Sequence, residues 1–178
     1  PDPHGSLRPI AGREETVPVA GHAGVSDTEY QRRIRAWCMY DWANSAFATT
    51  ILAAVLPVYY SRVAGETLPS EAVATQYWSI GLSVALFVVA IISPILGTIS
   101  DLRRGKKPML AVSAGVGVIG TGLLALAGSG DWLLASIFFV VGRIGFGASL
   151  IFYDALLPHV AREGDQDRVS SLGYALGY

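Results

Sequence analysis

Long apolar runs separated by short charged segments make up most of the chain. A helix that crosses a bilayer needs about 20 mostly apolar residues. Four runs meet this requirement, at residues 36–60, 77–100, 108–127 and 132–157. A fifth run begins near Val169, and Trp and Tyr residues at the ends of the runs fit the aromatic belts of membrane interfaces. The pattern predicts an all-α membrane protein with four spanning helices and the start of a fifth.

The segment before the first run has a different character. Residues 1–25 carry four prolines among glycine, histidine and charged residues and show no helical period, so we expect a disordered tail. The tail lacks the charged start and apolar core of a signal peptide. Ser26 followed by Glu29 predicts a capping box, and Asp131 is expected to cap the fourth helix. A transmembrane domain of residues 26–178 follows from these boundaries.

Composition supports a membrane protein and excludes several other classes. Hydrophobic residues make up 52% of the chain and charged residues 15%, against about 25% charged in soluble domains. If the runs were buried helices of a large soluble protein, little charged surface would remain to solvate it. The net charge is −1 and no basic stripe alternates with aromatic residues, so nothing indicates a nucleic-acid partner.

The reactive side chains do not form a catalytic or metal-binding pattern. Cys38 is the only cysteine, so an intrachain disulfide is impossible. His4, His22 and His159 are scattered over the tail and a loop, which gives no metal constellation. No arrangement of Ser, His and acid suggests nucleophilic catalysis, and no Gly-Lys-Ser loop suggests nucleotide binding. We therefore predict no enzyme activity, no metal and no cofactor.

The basic residues predict the orientation in the membrane. Nine lie at one end of the predicted helices and one, Arg62, lies at the other. The nine are Arg32, Arg33, Arg35, Arg103, Arg104, Lys106, Lys107, Arg162 and Arg168. Because loops rich in Lys and Arg stay in the cytoplasm, we expect the N-terminus to be cytoplasmic.

Four polar residues interrupt the first and fourth runs: Asp41, Asn44, Arg143 and Asp154. Arg143 lies about 16 Å from the outer end of its helix, close to mid-bilayer, where an arginine costs at least about 2.5–3.5 kcal/mol unless it is paired or faces water. Asp41 and Asn44 lie roughly 7 and 12 Å inside the boundary and are three residues apart, on one helix face. Asp154 is three turns beyond Arg143, on the same face. These residues are candidates for substrate or ion coupling. The alternatives are a structural pair inside the bundle for Arg143, a structural role for Asp154, and a packing cluster for Asp41 and Asn44.

Glycines recur along the third and fourth runs and predict closely packed helix faces. They are Gly115, Gly117, Gly120, Gly122, Gly142, Gly145 and Gly147. Pro57 and Pro94 lie inside predicted helices, which they are expected to kink or end.

The loop between the second and third runs resembles the signature of the major facilitator superfamily. Gly97 and Asp101 have the spacing of that signature; Gly105 comes one residue late and Leu102 replaces the usual arginine. The loop residues are Gly97, Asp101, Arg103, Arg104, Gly105, Lys106 and Lys107. Arg143, followed four residues later by a glycine, resembles the fourth-helix pattern of the same superfamily. The alternative for the loop is a positively charged cytoplasmic loop with one acid.

Three further segments resemble the vacuole-effluxer branch of that superfamily, which includes a fungal autophagy-linked amino-acid exporter. They are Tyr40–Phe47, Pro57–Tyr60 and Phe152–Pro158, and Arg168–Tyr178 resembles the start of the fifth helix in the branch. The resemblance implies the N-terminal part of a twelve-helix protein in a bacterial inner membrane. It also implies a cavity lined by helices one and four, a switching role for the Gly97–Lys107 loop, and efflux of amino acids or similar small solutes by alternating access.

Two points stay open at the level of sequence. If protons drive the cycle, a carboxylate is the expected carrier, with Asp41 the first candidate and Asp154 the second. The competing hypothesis is a non-transporting membrane protein, either a scaffold or receptor or an integral-membrane enzyme. An enzyme would need clustered histidines or carboxylates at one depth, and only Asp41 and Asp154 approach that arrangement.

Overall fold

The computed structural model describes residues 25–102 and 105–177. Within these ranges the chain forms five helices and no strand. They are α1 (Asp27–Ala64), α2 (Glu71–Leu102), α3 (Lys106–Leu126), α4 (Trp132–Asp154) and α5 (Gln166–Gly177), and a single helical turn, Leu157–Val160, lies between α4 and α5. Nearly all of the predicted disordered tail lies outside the described residues, as do Arg103 and Arg104.

Helices α1 to α4 are all long and apolar enough to cross a membrane. Large apolar side chains such as Phe87, Ile95 and Val118 point away from the bundle and are 57–73% exposed. Such surfaces are stable against lipid or further helices but not against water. The prediction of an all-α membrane fold is confirmed.

Helix α1 begins before its apolar run because its N-cap residue precedes that run in the sequence. Ser26 is the N-cap, and its Oγ accepts a hydrogen bond from the Glu29 backbone N–H at 3.3 Å. The Glu29 carboxylate pairs with Arg33 at 3.1 Å instead of closing the second half of the predicted capping box. The polar first turns therefore extend the helix beyond the apolar segment.

Two π-helical stretches, Phe47–Val55 and Tyr60–Ala64, occur within α1 and were not predicted. Pro57 lies between them and has no N–H to donate to the preceding turn, which favours a locally altered hydrogen-bond pattern. Of the two effects expected of Pro57 and Pro94, ending the helix is excluded, since α1 continues to Ala64 and α2 to Leu102.

Helices α3 and α4 touch through their backbones. A Cβ on Gly145 would lie 2.4 Å from the Gly117 backbone N, and one on Gly120 would lie 2.6 Å from the Gly142 backbone N. No side chain larger than hydrogen fits between these helices. The close packing predicted for these four glycines is confirmed.

Of the other glycines predicted to pack closely on α3 and α4, one contacts a neighbouring helix and two do not in the described part of the chain. Gly147 packs against Val89 of α2, where a Cβ would meet the valine side chain at 2.8 Å. Gly115 and Gly122 meet no atom within 4 Å in the described part of the chain, so the prediction of close packing is wrong for them there. Sequence spacing cannot tell which helical faces meet a neighbour.

The two ends of the bundle have separate cores. At one end, called the N-side, α1 and α3 begin and α2 and α4 end; its buried residues include Ile34, Trp37 and Tyr153. At the opposite end, Tyr60 and Phe139 belong to a second buried cluster. In the bundle α2 packs on α4, α3 packs on α4, and α5 packs on α1.

Helix α4 ends earlier than predicted, and α5 begins earlier than predicted. The helix ends at Asp154, three residues before the predicted end, and α5 starts at Gln166, three residues before the predicted start. Asp131 is the N-cap residue of α4, as predicted, but its Oδ2 accepts a hydrogen bond from the Gly128 N–H at 3.0 Å and so closes the preceding turn.

Candidate functional site

The Asp41 carboxylate lies where α1 meets α5. Asp41 Oδ2 is 2.9 Å from the position that a Gly177 Cβ would occupy, and Ser45 Oγ is 2.7 Å from the same position. Asp41 and Ser45 are one turn apart on α1, so both side chains reach the same place. Asp41 and Ser45 thus pack directly against the α5 backbone, and glycine at position 177 permits this close approach.

Tyr153 of α4 faces the Asp41 carboxyl group. Trp37 and Tyr40 both stack on the Tyr153 ring, with centroids 4.3 and 5.2 Å away, and Trp37 Nε1 donates to the Tyr153 carbonyl at 3.3 Å. Only 4% of Tyr153 is exposed. Its hydroxyl interacts with the Asp41 side chain, with a geometry that falls short of an ordinary hydrogen bond. The aromatic stack and this interaction hold Tyr153 of α4 against the part of α1 that carries Asp41.

Asp154, the last residue of α4, adds a second carboxylate at the same end of the bundle. The carboxyl groups of Asp154 and Asp41 are close enough to interact electrostatically. Within residues 25–102 and 105–177, neither forms an ion pair with a Lys or Arg. The two acids thus interact without a basic partner in the described ranges, and Asp154 is exposed. The sequence had already indicated Asp41 and Asp154 as the carboxylates that approach a common depth.

Asn44 contacts a different neighbour from Asp41. It lines a cavity of about 420 Å³ between α1, α3 and α4. The walls are mostly apolar side chains and glycine backbone, and the hydroxyls of Thr121 and Ser149 donate to carbonyls of their own helices at 2.8 and 2.7 Å. Three residues turn a helix by about 300°, so side chains at 41 and 44 diverge by about 60°. The predicted common face therefore serves two different interfaces.

Arg143 lies near the middle of α4 and contacts aromatic rings. Its guanidinium carbon is 5.2 Å from the Phe146 ring centroid, and Phe146 is 5.1 Å from Phe47 of α1. The Arg143 Nε is buried and has no hydrogen-bond partner among the described residues. These residues also contain no ion pair to Arg143, which was the structural alternative for it. The guanidinium is thus positioned by cation–π contact, with donors left for an anionic group.

Arg143 and Asp41 cannot hold the same small headgroup. Tyr153, which faces Asp41, is ten residues beyond Arg143, or roughly 15 Å along α4. Long side chains on a helix point towards its N-terminus, which takes the Arg143 guanidinium further from Tyr153. The site therefore has two separate parts, here called stations. The cationic station is Arg143 near the middle of α4, and the anionic station is Asp41 with its neighbours Ser45, Tyr153, Asp154 and Gly177 at the N-side.

The loop between α2 and α3 is tied to the end of α4. Lys106 Nζ lies 3.6 Å from Asp101 Oδ1 and donates to the Ala155 carbonyl at 3.1 Å. Gly105 is the N-cap residue of α3. A Cβ on Gly97 would meet nothing within 4 Å in the described ranges, so no close approach accounts for this glycine there.

A second set of contacts at the N-side, here called the clasp, was not predicted. The Tyr30 hydroxyl donates to Asp165 Oδ2 at 2.8 Å and accepts from the Arg162 backbone N–H at 3.2 Å. The Arg162 guanidinium lies 4.2 Å from the Tyr30 ring centroid and 3.1 Å from Asp27 Oδ1. The hydrogen bond from Tyr30, assisted by Arg168 and Arg162, holds the pKa of Asp165 below its ordinary value. The clasp joins the start of α1 to the segment between α4 and α5.

Three residues of the anionic station escaped sequence reasoning: Ser45, Tyr153 and Gly177. A tyrosine at the end of an apolar helix looks like an interfacial anchor, and serine and glycine are common in membrane helices. The sequence could have indicated two of them by their position beside a candidate residue, since Tyr153 directly precedes Asp154 and Ser45 is one turn from Asp41.

Comparison with known proteins shows what the chain is similar to. Residues 68–171 match the family described as Vacuole effluxer Atg22 like. Over 149 residues the chain is 38% identical to "Uncharacterized MFS-type transporter YxiO" of Bacillus subtilis (strain 168), an alignment that covers 84% of this chain and 35% of that relative. The chain thus spans about a third of the length of that curated relative. No solved structure matches the chain.

Proposed function

The chain belongs to the vacuole effluxer Atg22-like family of major facilitator proteins, and from this premise we propose that the whole protein is a secondary active transporter that exports amino acids or similar small solutes. Its two halves expose a central site alternately to each side of the membrane. We place it in a bacterial cell membrane with the N-side in the cytoplasm, because basic residues concentrate at that side.

The observation that supports transport is the pair of charged stations on α1 and α4. Ionisable side chains within a membrane are expensive, and they commonly mark substrate or ion pathways. Arg143 and the Asp41–Asp154 pair have no ion-pair partner in the described ranges, so their cost is not offset inside this bundle. A substrate and a coupling ion of opposite charge would offset it.

The separation of the stations assigns their roles. Arg143 binds the anionic group of the substrate, such as the carboxylate of an amino acid, because its planar donors match a carboxylate. Asp41 and Asp154 bind the cation that drives the cycle. The roughly 15 Å between the stations means that one α-amino acid does not bridge them.

Asn44 belongs to a helix-packing surface instead of the substrate path. Transporters of this type contain inverted three-helix repeats, in which α1 corresponds to α4 and α2 to α5. The packing of α2 on α4 and of α5 on α1 fits that symmetry. The packing of α3 on α4 then requires a sixth helix against α1, where the apolar Asn44 cavity lies. This matches the packing alternative that the sequence left open for Asn44.

The loop from Gly97 to Lys107 acts as a conformational latch in this proposal. Lys106 already connects the loop to the end of α4, so a movement of α4 during transport would break or remake that contact. The latch would thereby bias which side the central site faces.

Transport by the reconstituted whole protein tests these assignments. Efflux of amino acids from proteoliposomes, measured with and without a pH gradient, should fall about tenfold or more in Arg143→Leu and Asp41→Asn, since a tenfold loss needs only about 1.4 kcal/mol. Asn44→Ala should keep transport while lowering the melting temperature. Wild-type rates in Arg143→Leu would refute its role, and no transported solute at all would refute the proposed function.

The same assay tests the latch with a matched pair of lysines. Lys106→Gln should slow transport, because it removes the contact between the loop and α4, while Lys107→Gln, at an exposed neighbouring position, should not. Equal rates in the two variants would contradict the latch.

A further inference from the structure

An open groove of about 390 Å³ lies between α2 and α3 at the N-side. Both helices pack on α4 and make few contacts with each other, so a gap remains between them. In the described ranges only α2, α3 and α4 contribute to its walls. The lining is apolar apart from one serine and includes Leu96, Ile99, Met109, Val112, Ser113 and Phe152.

The groove runs along the helices from their N-side ends towards the middle of the membrane. Ile99 and Met109 are three residues from the end of α2 and the start of α3, and Leu96 and Val112 are six residues from them. At 1.5 Å per residue the walls extend from roughly 4.5 to 9 Å along each helix. Because Val112 is 68% exposed, the outer wall would contact acyl chains in a bilayer.

Positive charge lies at the mouth of the groove, where α3 begins. Lys107 is exposed and directly precedes Pro108 and Met109, which both line the groove. Residues 101–107 include four basic residues and one acid, Asp101. Lys106 lies 3.6 Å from Asp101 Oδ1 and offsets its charge. An apolar groove with a basic mouth matches the two parts of a phospholipid that has an anionic headgroup.

We propose that this groove binds one anionic phospholipid, with an acyl chain between α2 and α3 and the headgroup at the basic mouth. The chain would join two helices that make few direct contacts, and so stabilise the N-side of the bundle. Several basic residues share the attraction for the headgroup, so binding does not rest on a single lysine. The site requires only that the protein lies in a membrane and does not depend on the transported solute.

Thermal unfolding of the delipidated whole protein in a neutral detergent tests the site. Dioleoyl phosphatidylglycerol should raise the melting temperature more than dioleoyl phosphatidylcholine, which has the same acyl chains but no net charge. Inorganic phosphate should not raise it, because it has no acyl chain to fill the groove. Native mass spectrometry should show one phosphatidylglycerol retained on the protein.

Two substitutions on α3 test whether the lipid occupies the groove. Val112→Trp places a large ring in the groove and should weaken phosphatidylglycerol binding about tenfold or more, since displacing about two methylene groups of the chain is sufficient. Ile119→Trp adds the same ring to the same helix outside the groove and should bind the lipid like the wild type. Val112 and Ile119 are 68% and 64% exposed, so neither substitution should disturb the bundle.

The opposite wall of the groove offers an independent comparison on α2. Leu96 lines the groove, whereas Ile95 lies at almost the same depth, is 57% exposed and does not line it. Leu96→Trp should therefore weaken phosphatidylglycerol binding, and Ile95→Trp should not. This pair keeps the test decisive if one of the α3 variants does not fold.

Three outcomes would overturn the lipid site. They are equal stabilisation of the wild type by the two lipids, unchanged phosphatidylglycerol binding by both groove variants, and equal stabilisation by inorganic phosphate. If the groove variants are less stable than their controls without lipid, and phosphatidylglycerol has no specific effect, a helix from the rest of the chain fills the groove instead. Failure of any of these tests would leave the proposed transport function untouched, because unfolding and lipid retention are measured without a solute.

Discussion

At the residue scale, the clasp shows how a single hydroxyl links distant parts of the chain. Tyr30 donates to Asp165 and accepts from the Arg162 backbone, while the Arg162 guanidinium covers its ring. Asp165 also lies 3.4 Å from Arg168, so its carboxylate is stabilised in the charged form. The clasp therefore depends on the ionised state of Asp165.

The pH dependence of the clasp follows from the lowered pKa of Asp165. A carboxyl group whose pKa is lower in the folded state stabilises that state above its unfolded pKa, near 3.9 for aspartate, and loses this contribution as the pH falls through its folded pKa. Tyr30→Phe should therefore lower the melting temperature of the detergent-solubilised whole protein at neutral pH, and its difference from wild type should shrink below about pH 4. Tyr77→Phe removes a tyrosine hydroxyl at the opposite end, and its difference from wild type should not depend on pH; the same dependence in both variants would contradict the assignment.

At the scale of elements, the contact between α3 and α4 is the tightest constraint on the bundle. Gly120 and Gly142 face each other at backbone distance, and so do Gly117 and Gly145. Without a hydrophobic effect between helices in lipid, this close approach is what gives the pair its van der Waals attraction. The pair in turn positions the face of α4 that carries Arg143 and Tyr153.

A methyl group added at this contact should separate the two helices. In Gly120→Ala, the Cβ would lie 2.6 Å from the Gly142 backbone N, so the helices must shift, at a cost of about 1–3 kcal/mol. Gly115→Ala adds the same methyl group to the same helix where no described atom lies within 4 Å, and it should be neutral or slightly stabilising. Thermal unfolding of the two variants checks this; equal stability would show that the contact tolerates a side chain.

At the scale of the whole molecule, the two ends of the bundle differ in chemistry. The opposite end contains stacked aromatic pairs such as Tyr77 with Trp132 and Trp78 with Phe139. The N-side holds the basic loop residues, the clasp and the anionic station. Aromatic residues occur at both membrane interfaces, including the Trp37–Tyr153 stack of the N-side, whereas basic residues favour the cytoplasm. The basic residues of the N-side therefore underlie the proposed orientation.

Labelling of single cysteines checks the orientation. In a whole protein without other cysteines, including Cys38, Ala72→Cys at the start of α2 should react with a membrane-impermeant maleimide on intact cells. Lys107→Cys should react only after the cells are permeabilised, because its loop is expected to be cytoplasmic. Both positions are exposed. The opposite labelling pattern would invert the proposed topology.

The number of spanning helices, their approximate bounds and the polar residues within them were determined by the sequence alone. Each apolar run is about as long as a bilayer is thick, and an Asp or Arg inside such a run stands out because its burial is costly. The pairing of Gly117 with Gly145 was partly predictable, since glycines recur on both helices. Their neighbours Gly115 and Gly122 show the limit, because spacing does not reveal which side of a helix has a partner.

Only the tertiary structure decided which polar groups meet. Asp41 and Asn44 are three residues apart, yet one faces α5 and Tyr153 while the other faces α3. Tyr153 is remote in sequence from Asp41, so the interaction between the two side chains became visible only in the packed arrangement of α1 and α4. Composition and hydrophobic periodicity describe each helix separately. A binding site, by contrast, is made by side chains from several helices, and packing sets the relative rotation of those helices.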